Sequence, residues 1–316
     1  MTARRILSLL LVVQALAAGV IAWGAAGLLD LAPALALLTG VACVILVRAA
    51  ISANNFLVSR RFASPVPAQH RLDAGQRARL FAEEFKASLL HSSWHMPRGR
   101  ARTRIYPDST LPPVLLLHGY GCNSGYWAQL MPLLDARHIS HAAIDLEPVM
   151  AAIDDYVPQV ARAVEALCAA TGVSRVLLVA HSMGGLVARA YLRAHGPGRV
   201  VHVFTLGTPH HGTALAKLGP GRNAEQMRLL DSDDNRWLRE LAATETPATR
   251  ALITSIYTHH DNIVTPQSSS MLPGARNIDI GGVGHVALAG NARVLTLLMR
   301  EMVATSTTQN NVWQRS

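Results

Sequence analysis

Ser182 is the residue around which chemistry is most easily built. It stands in Ala180-His181-Ser182-Met183-Gly184, after the apolar run 176–180 and before apolar residues at helical spacing, Leu186, Val187, Tyr191 and Leu192. A serine lifted off a strand end on so sharp a turn into a helix has strained backbone angles. The positions two before and two after it must then be nearly free of side chain. Ala180 and Gly184 meet that demand, Ala180 with one methyl more than the glycine commoner at that place. A hydroxyl presented this way is a nucleophile once a neighbouring base takes its proton.

The other parts of such a site are present at matching places. His285 ends the glycine-rich run Gly281-Gly282-Val283-Gly284-His285, just past an expected strand at 277–280. It is the candidate base. Asp261 follows an expected strand at 252–257 and is the candidate carboxylate that orients it, with Asp231, Asp233, Asp234 and Asp279 as weaker rivals. His118-Gly119-Tyr120-Gly121 follows the first buried strand, so the Tyr120 and Met183 peptide N–H groups are expected to form a two-donor oxyanion hole. The histidine pairs 210–211 and 259–260 are neighbours whose side chains diverge, and no metal-ligand spacing is evident. No cofactor is expected. Cys43, Cys122 and Cys168 lie far apart, which excludes a disulfide framework.

The elements that must position these residues alternate. Strands are expected at 114–118, 142–146, 176–180, 200–206, 252–257 and 277–280. Helices are expected at 157–170, after Ser182, and at 286–303. Strands separated by helices imply a mostly parallel α/β sheet with helices on both faces, and the carboxyl ends of such strands are where a site is built. The excursion 208–250 carries Met227, Leu229, Leu230, Trp237, Leu238 and Leu241, which serve equally a lid-like insertion or a plainly packed helix.

From about residue 111 to 302 the chain resembles the α/β-hydrolase fold. It is especially similar to small bacterial triacylglycerol lipases with an Ala-His-Ser-Met-Gly-Gly elbow and a catalytic histidine in Gly-Val-Gly-His. The chain order Ser182, Asp261, His285 is the one that fold uses. The resemblance implies Ser182 as nucleophile, His285 as general base, Asp261 as its acid, and Tyr120 and Met183 as oxyanion donors. The run 206–213, Leu-Gly-Thr-Pro-His-His-Gly-Thr, resembles a loop common in lipases.

The amino-terminal third lies outside that pattern. Half of the 316 residues are hydrophobic, and the excess sits in 6–29 and 31–47, separated by Asp30 and Pro33. At about 1.5 Å per residue each segment reaches, or nearly reaches, across a hydrocarbon core of roughly 30 Å. A transmembrane hairpin is expected over 1–50. A signal peptide using Arg4, Arg5 and a cleavage site at 15–17 is the competing reading. Residues 48–104 carry eleven bases against three acids, whereas 105–316 are balanced. The +9 net charge is therefore membrane-proximal. The positive-inside rule puts both hairpin ends, and the catalytic domain, on the cytoplasmic side of a bacterial-type inner membrane. Anionic lipid is the expected partner of the basic stretch. Nucleic acid is not expected, and no protein partner is evident.

The remaining organisation is a basic connector, 51–110, a catalytic domain, 111–304, and a polar tail, 305–316. Within the connector, 73–90 is expected to be an amphipathic helix, arginine at every second position over 98–104 has the period of a strand, and Ser64-Pro65-Val66-Pro67 is a candidate boundary. Site and anchor together point to a membrane-anchored serine hydrolase cleaving acyl-lipid esters through an acyl-serine. The alternatives are a thioesterase or acyltransferase on the same triad, or a catalytically silent membrane-tethered binding module.

Overall fold

The computed structural model describes residues 2–230 and 235–313. Its centre is a seven-stranded sheet of order β1-β3-β2-β4-β5-β6-β7. The strands are β1 (Arg102–Arg104), β2 (Val114–Leu117), β3 (His141–Ile144), β4 (Val176–His181), β5 (Val200–Leu206), β6 (Ile253–Thr258) and β7 (Arg276–Ile280). All neighbours are parallel except β1, which runs antiparallel to β3 at the edge. The expected arginine strand is thus short, and its three residues are exposed.

β2, β4 and β5 are buried along their whole length, which is why they read as unbroken apolar runs rather than as alternation. In β2 and β4 the side chains still divide by parity. Leu115, Leu117, Leu178 and Ala180 join one core with α4 (Ile153–Thr171) and α5 (Met183–His195). Val114, Leu116, Leu177 and Val179 join the other with α7 (Ala292–Trp313). α4 ends at Gly172, whose φ of 70° closes the helix in the left-handed conformation.

The expected helix 286–303 is in fact two elements, a 3-10 turn (Val286–Ala289) and then α7. Asn291 makes the break: its Oδ1 accepts from the Arg293 and Val294 N–H groups and starts a new helix there.

In the excursion after β5, α6 (Arg236–Thr244) buries Leu238 and Leu241 in the core shared with α4 and α5. Trp237 Nε1 donates to Asp154 at 2.7 Å. Glu245, just beyond α6, takes both arms of the buried Arg189 guanidinium at 2.6 and 2.8 Å.

Two helices precede the sheet, α1 (Ala3–Leu28) and α2 (Pro33–Ser59). Both are long and apolar enough to cross a membrane. They pack on each other through small residues, with Ala18, Ala25, Ala36 and Gly40 buried. A Cβ on Gly40 would collide with the Ala18 carbonyl, the close approach that small residues allow between apolar helices. The amphipathic helix is α3 (Ala74–Leu90), opened by a capping box between Asp73 and Gln76.

Candidate active site

Ser182 follows β4 with φ 54° and ψ −125°. A non-glycine residue holds such angles at a cost of about 1–3 kcal/mol, so its surroundings must fix it there. Its N–H donates to the Leu206 carbonyl at 2.9 Å, and its own carbonyl accepts from Gly185 N–H and from Thr208 Oγ1 at 2.9 Å. The turn is as tight as the sequence pattern requires. A Cβ on Gly184 would lie 2.5 Å from the Leu117 carbonyl oxygen, and one on Gly119 would lie 2.9 Å from Ser182 Cβ. Ala180 is wholly buried in β4.

Gly119 and Tyr120 form the loop beyond β2. His118 fixes that loop: its Nε2 accepts from Leu146 N–H at 2.9 Å, so its proton sits on Nδ1 and is donated to the Gly119 carbonyl at 2.9 Å. Burial lowers its pKa and keeps the ring neutral. Tyr120 Oη donates to the Pro220 carbonyl at 2.7 Å, tying the loop to the excursion after β5. Met183 is the first residue of α5, where peptide N–H groups have no partner within the helix and carry its positive end.

His285 and Asp261 meet. His285 Nδ1 donates to Asp261 Oδ2 at 2.8 Å, and both side chains are buried. Asp261 Oδ1 accepts from Ile263 and Val264 N–H at 2.8 and 2.7 Å, and the His285 N–H donates to Asn262 Oδ1. Gly207, after β5, passes under the pair with φ 56°. A Cβ there would stand 2.6 Å from Leu288 and within 3.3 Å of both the carboxylate and the imidazole. Burial disfavours the His285 imidazolium. The Asp261 charge, its hydrogen bond and the Glu84 charge outweigh that and leave the pKa above its ordinary value.

The rival aspartates are elsewhere. Asp279 Oδ2 takes hydrogen bonds from His70 and His259 at 2.9 and 3.0 Å. That trio has the composition of a metal site, yet the two hydrogen bonds account for its geometry. Asp231, Asp233 and Asp234 lie outside the described residues. The neighbours His210 and His211 do diverge, the ring of the first meeting Thr205 Oγ1 and Arg189 and that of the second the Ser269 carbonyl. The Cys122 thiol, near the Tyr120 loop, is pushed up to about 12 by burial and is a poor nucleophile at neutral pH.

Residues 112–240 match the family model of the alpha/beta hydrolase fold. The mature lipase BlEst2 of Bacillus licheniformis superposes with a TM-score of 0.56 and 20% identity, over 64% of this chain and 97% of that one. The fold is that of the α/β-hydrolases. Aspergillus fumigatus lipase B gives a TM-score of 0.50 with 19% identity, over 61% and 54% of the two chains. Triacylglycerol lipases of Pseudarthrobacter phenanthrenivorans and Burkholderia plantarii are each 47% identical over 53 residues. That stretch is 17% of this chain and only 16% and 14% of theirs.

Within the α/β-hydrolase sheet the candidates sit where ligands bind in open α/β folds, at the carboxyl ends of strands. Tyr120 follows β2, Ser182 β4, Asp261 β6 and His285 β7. The family match contains the first two and stops short of Asp261 and His285.

Two neighbours of the site escape the sequence reading. Glu84 of α3 is 2% exposed, and its two oxygens accept from Val286 and Ala287 N–H at 3.0 and 2.9 Å, capping the turn that His285 opens. A Cβ on Gly284 would strike that carboxylate. Burial pushes the Glu84 pKa up, only partly offset by these N–H groups and by His285. His181 is the other. Its Nε2 donates to the His285 carbonyl at 3.1 Å, its ring lies between those of Tyr126 and His285, and burial keeps it neutral. The only sequence signal for either is its place, His181 beside Ser182 and Glu84 in an amphipathic helix.

Proposed function

We propose that the chain is a membrane-anchored serine hydrolase acting on carboxylic esters of acyl lipids. Ser182 attacks the ester carbonyl while His285 takes its proton, and Asp261 holds the imidazole in the required tautomer and balances its charge. The Tyr120 and Met183 amides stabilise the oxyanion, each such donor contributing about 10²- to 10³-fold in rate. His285 returns the proton to the leaving alcohol, and water then releases the acyl group from Ser182 by the same steps in reverse order. The observation that carries the reading is the strained Ser182 packed against Gly119, with the buried 2.8 Å His285–Asp261 pair held over Gly207.

The membrane part of the proposal rests on other features. α1 and α2 have apolar windows of mean hydropathy 2.3 and 2.4 that are almost wholly uncovered by the rest of the chain, and the basic surplus follows immediately. By the positive-inside rule the catalytic domain then faces the cytoplasm. The basic segment 51–110 joins the anchor to a catalytic domain that begins near residue 111. The lipase names of the relatives bring acyl esters to this chain as its substrate class.

The test is labelling by a fluorophosphonate in membrane and soluble fractions, wild type beside Ser182→Ala. Labelling of membrane-bound wild type alone is expected. Labelling that survives the substitution refutes the assignment of Ser182, and labelling only in the soluble fraction refutes the anchor.

A further inference from the structure

A mostly apolar cavity of about 610 Å³ lies between the foot of the hairpin and the loop that carries Asp261. This is within the usual range of ligand pockets, about 300–1,000 Å³. Phe56 and Leu57, in the last turns of α2, form one wall; Leu80 and Phe81 of α3 form another. His260 and Asp261 close it on the side of the catalytic domain, and neither Ser182 nor His285 lines it. Arg60, Arg71 and Arg77 also line it. Among the described residues none of the three is paired with a carboxylate.

The cavity is built into the join between the two parts of the molecule. Thr265 Oγ1 donates to the Ser59 carbonyl at 3.1 Å, and Gln267 Oε1 accepts from Ser64 N–H at 2.9 Å. The same Gln267 donates through Nε2 to the Asp261 carbonyl at 2.8 Å. One wall therefore continues directly into the exposed apolar surface of α2, where Leu46, Val47, Ile51 and Leu57 are uncovered. The other end touches the backbone that sets Asp261.

Arg77 Nε donates to the Leu72 carbonyl at 3.0 Å, which leaves its charge unneutralised. An apolar slot beside guanidinium groups without a carboxylate partner selects an amphiphile with an anionic head. Its continuity with a membrane helix supplies that amphiphile from the bilayer. We propose that this cavity binds an anionic membrane lipid, with an acyl chain between α2 and α3 and the headgroup phosphate on Arg60, Arg71 and Arg77. The bound lipid is a ligand at the anchor–domain join rather than the ester being cleaved. Through Gln267 it steadies the Asp261 loop and raises turnover. The inference rests on the membrane anchor proposed above, and its binding test does not depend on Ser182 chemistry.

Full-length Ser182→Ala protein is placed in nanodiscs of phosphatidylcholine, alone or mixed with phosphatidylglycerol, then released and its retained lipid identified by native mass spectrometry. Selective retention of phosphatidylglycerol is expected, weakened roughly fivefold by each of Arg60→Ala, Arg71→Ala and Arg77→Ala. It should be lost on filling the slot with Leu57→Trp or, more gently, with Ala53→Leu, one turn earlier on the α2 wall of the cavity. In the protein with Ser182 intact, hydrolysis of a soluble short-chain ester should be several-fold faster in the mixed nanodiscs, an advantage the slot-filling variants lose while keeping their rate in phosphatidylcholine. Three results overturn the proposal: no retained lipid, equal retention of both lipids, or retention indifferent to the arginines and to Leu57→Trp. Displacement by inorganic phosphate overturns it too, because the arginines would then form a plain anion site. Fluorophosphonate labelling that persists alongside any of these leaves the hydrolase reading standing.

Discussion

α5 and the α1–α2 hairpin are both helical and rich in alanine, leucine and valine, but they meet opposite surroundings. In α5 every residue from Met183 to Leu192 is buried. It lies on the sheet, and its first residue follows Ser182. In the hairpin the buried residues are all small, Ala18 and Gly40 among them where the two helices touch, while Leu16, Val20, Leu38 and Leu46 are more than 60% exposed. One apolar surface is covered by the chain itself; the other is left for something else to cover. Apolar composition alone therefore does not say which medium a helix sits in, and what decides is whether the fold provides a cover.

The sharpest test of that contrast lies at the join of β4 and α5. Ser182→Ala should lower turnover of a p-nitrophenyl acyl ester by about 10⁴-fold or more with the melting temperature unchanged, because it removes one hydroxyl and no packing. A melting shift of several degrees would show that the elbow depends on Ser182 structurally. Next in size, Leu186→Ala in α5 should cost about 2–5 kcal/mol of folding stability, read from chemical denaturation. Glu84→Ala should cost about 1–3 kcal/mol by leaving two buried N–H groups without an acceptor, and Glu84→Gln less, because its amide oxygen still accepts.

A pH profile separates the charge of Glu84 from its capping. With His285 as the proposed base, the imidazole must be neutral to act, so kcat/KM should rise as pH climbs through its elevated pKa. The groups facing that imidazole are Asp261, Glu84 and the neutral His181. Removing the Glu84 charge makes the imidazolium less stable, so the rising limb in Glu84→Gln should move to lower pH. An unmoved limb would mean that Glu84 only caps. The smallest effect is expected in the hairpin, where Leu16→Ala should alter denaturation of the catalytic domain by no more than about 0.5 kcal/mol. A cost near that of Leu186→Ala would mean the exposed face is covered in the folded protein.

Local chemistry made much of this legible in the sequence. The apolar runs that become β2, β4 and β5, the small residues around Ser182 and the amphipathic spacing of α3 each announce themselves within a few neighbouring residues. What escaped depends on distant ones. Glu84 looks like one more polar residue on an amphipathic helix, and periodicity cannot report that its carboxylate is buried against amides 202 and 203 positions away. The split of the last helix was missed for a related reason: 286–303 has unbroken helical spacing, and only the caps offered by Glu84 and Asn291 divide it. The sequence shows His118 only as part of a turn, while its tautomer is set by Leu146 across the β2–β3 join.

The Glu84 cap also orders events during synthesis. Translation at about 5–20 residues per second leaves α3 waiting roughly 10–40 s for the amides its carboxylate will bind. Throughout that interval the carboxylate lacks the two amides that it caps in the folded chain. The turn beside His285 therefore takes its final form only when two stretches of chain 202 and 203 positions apart are both present.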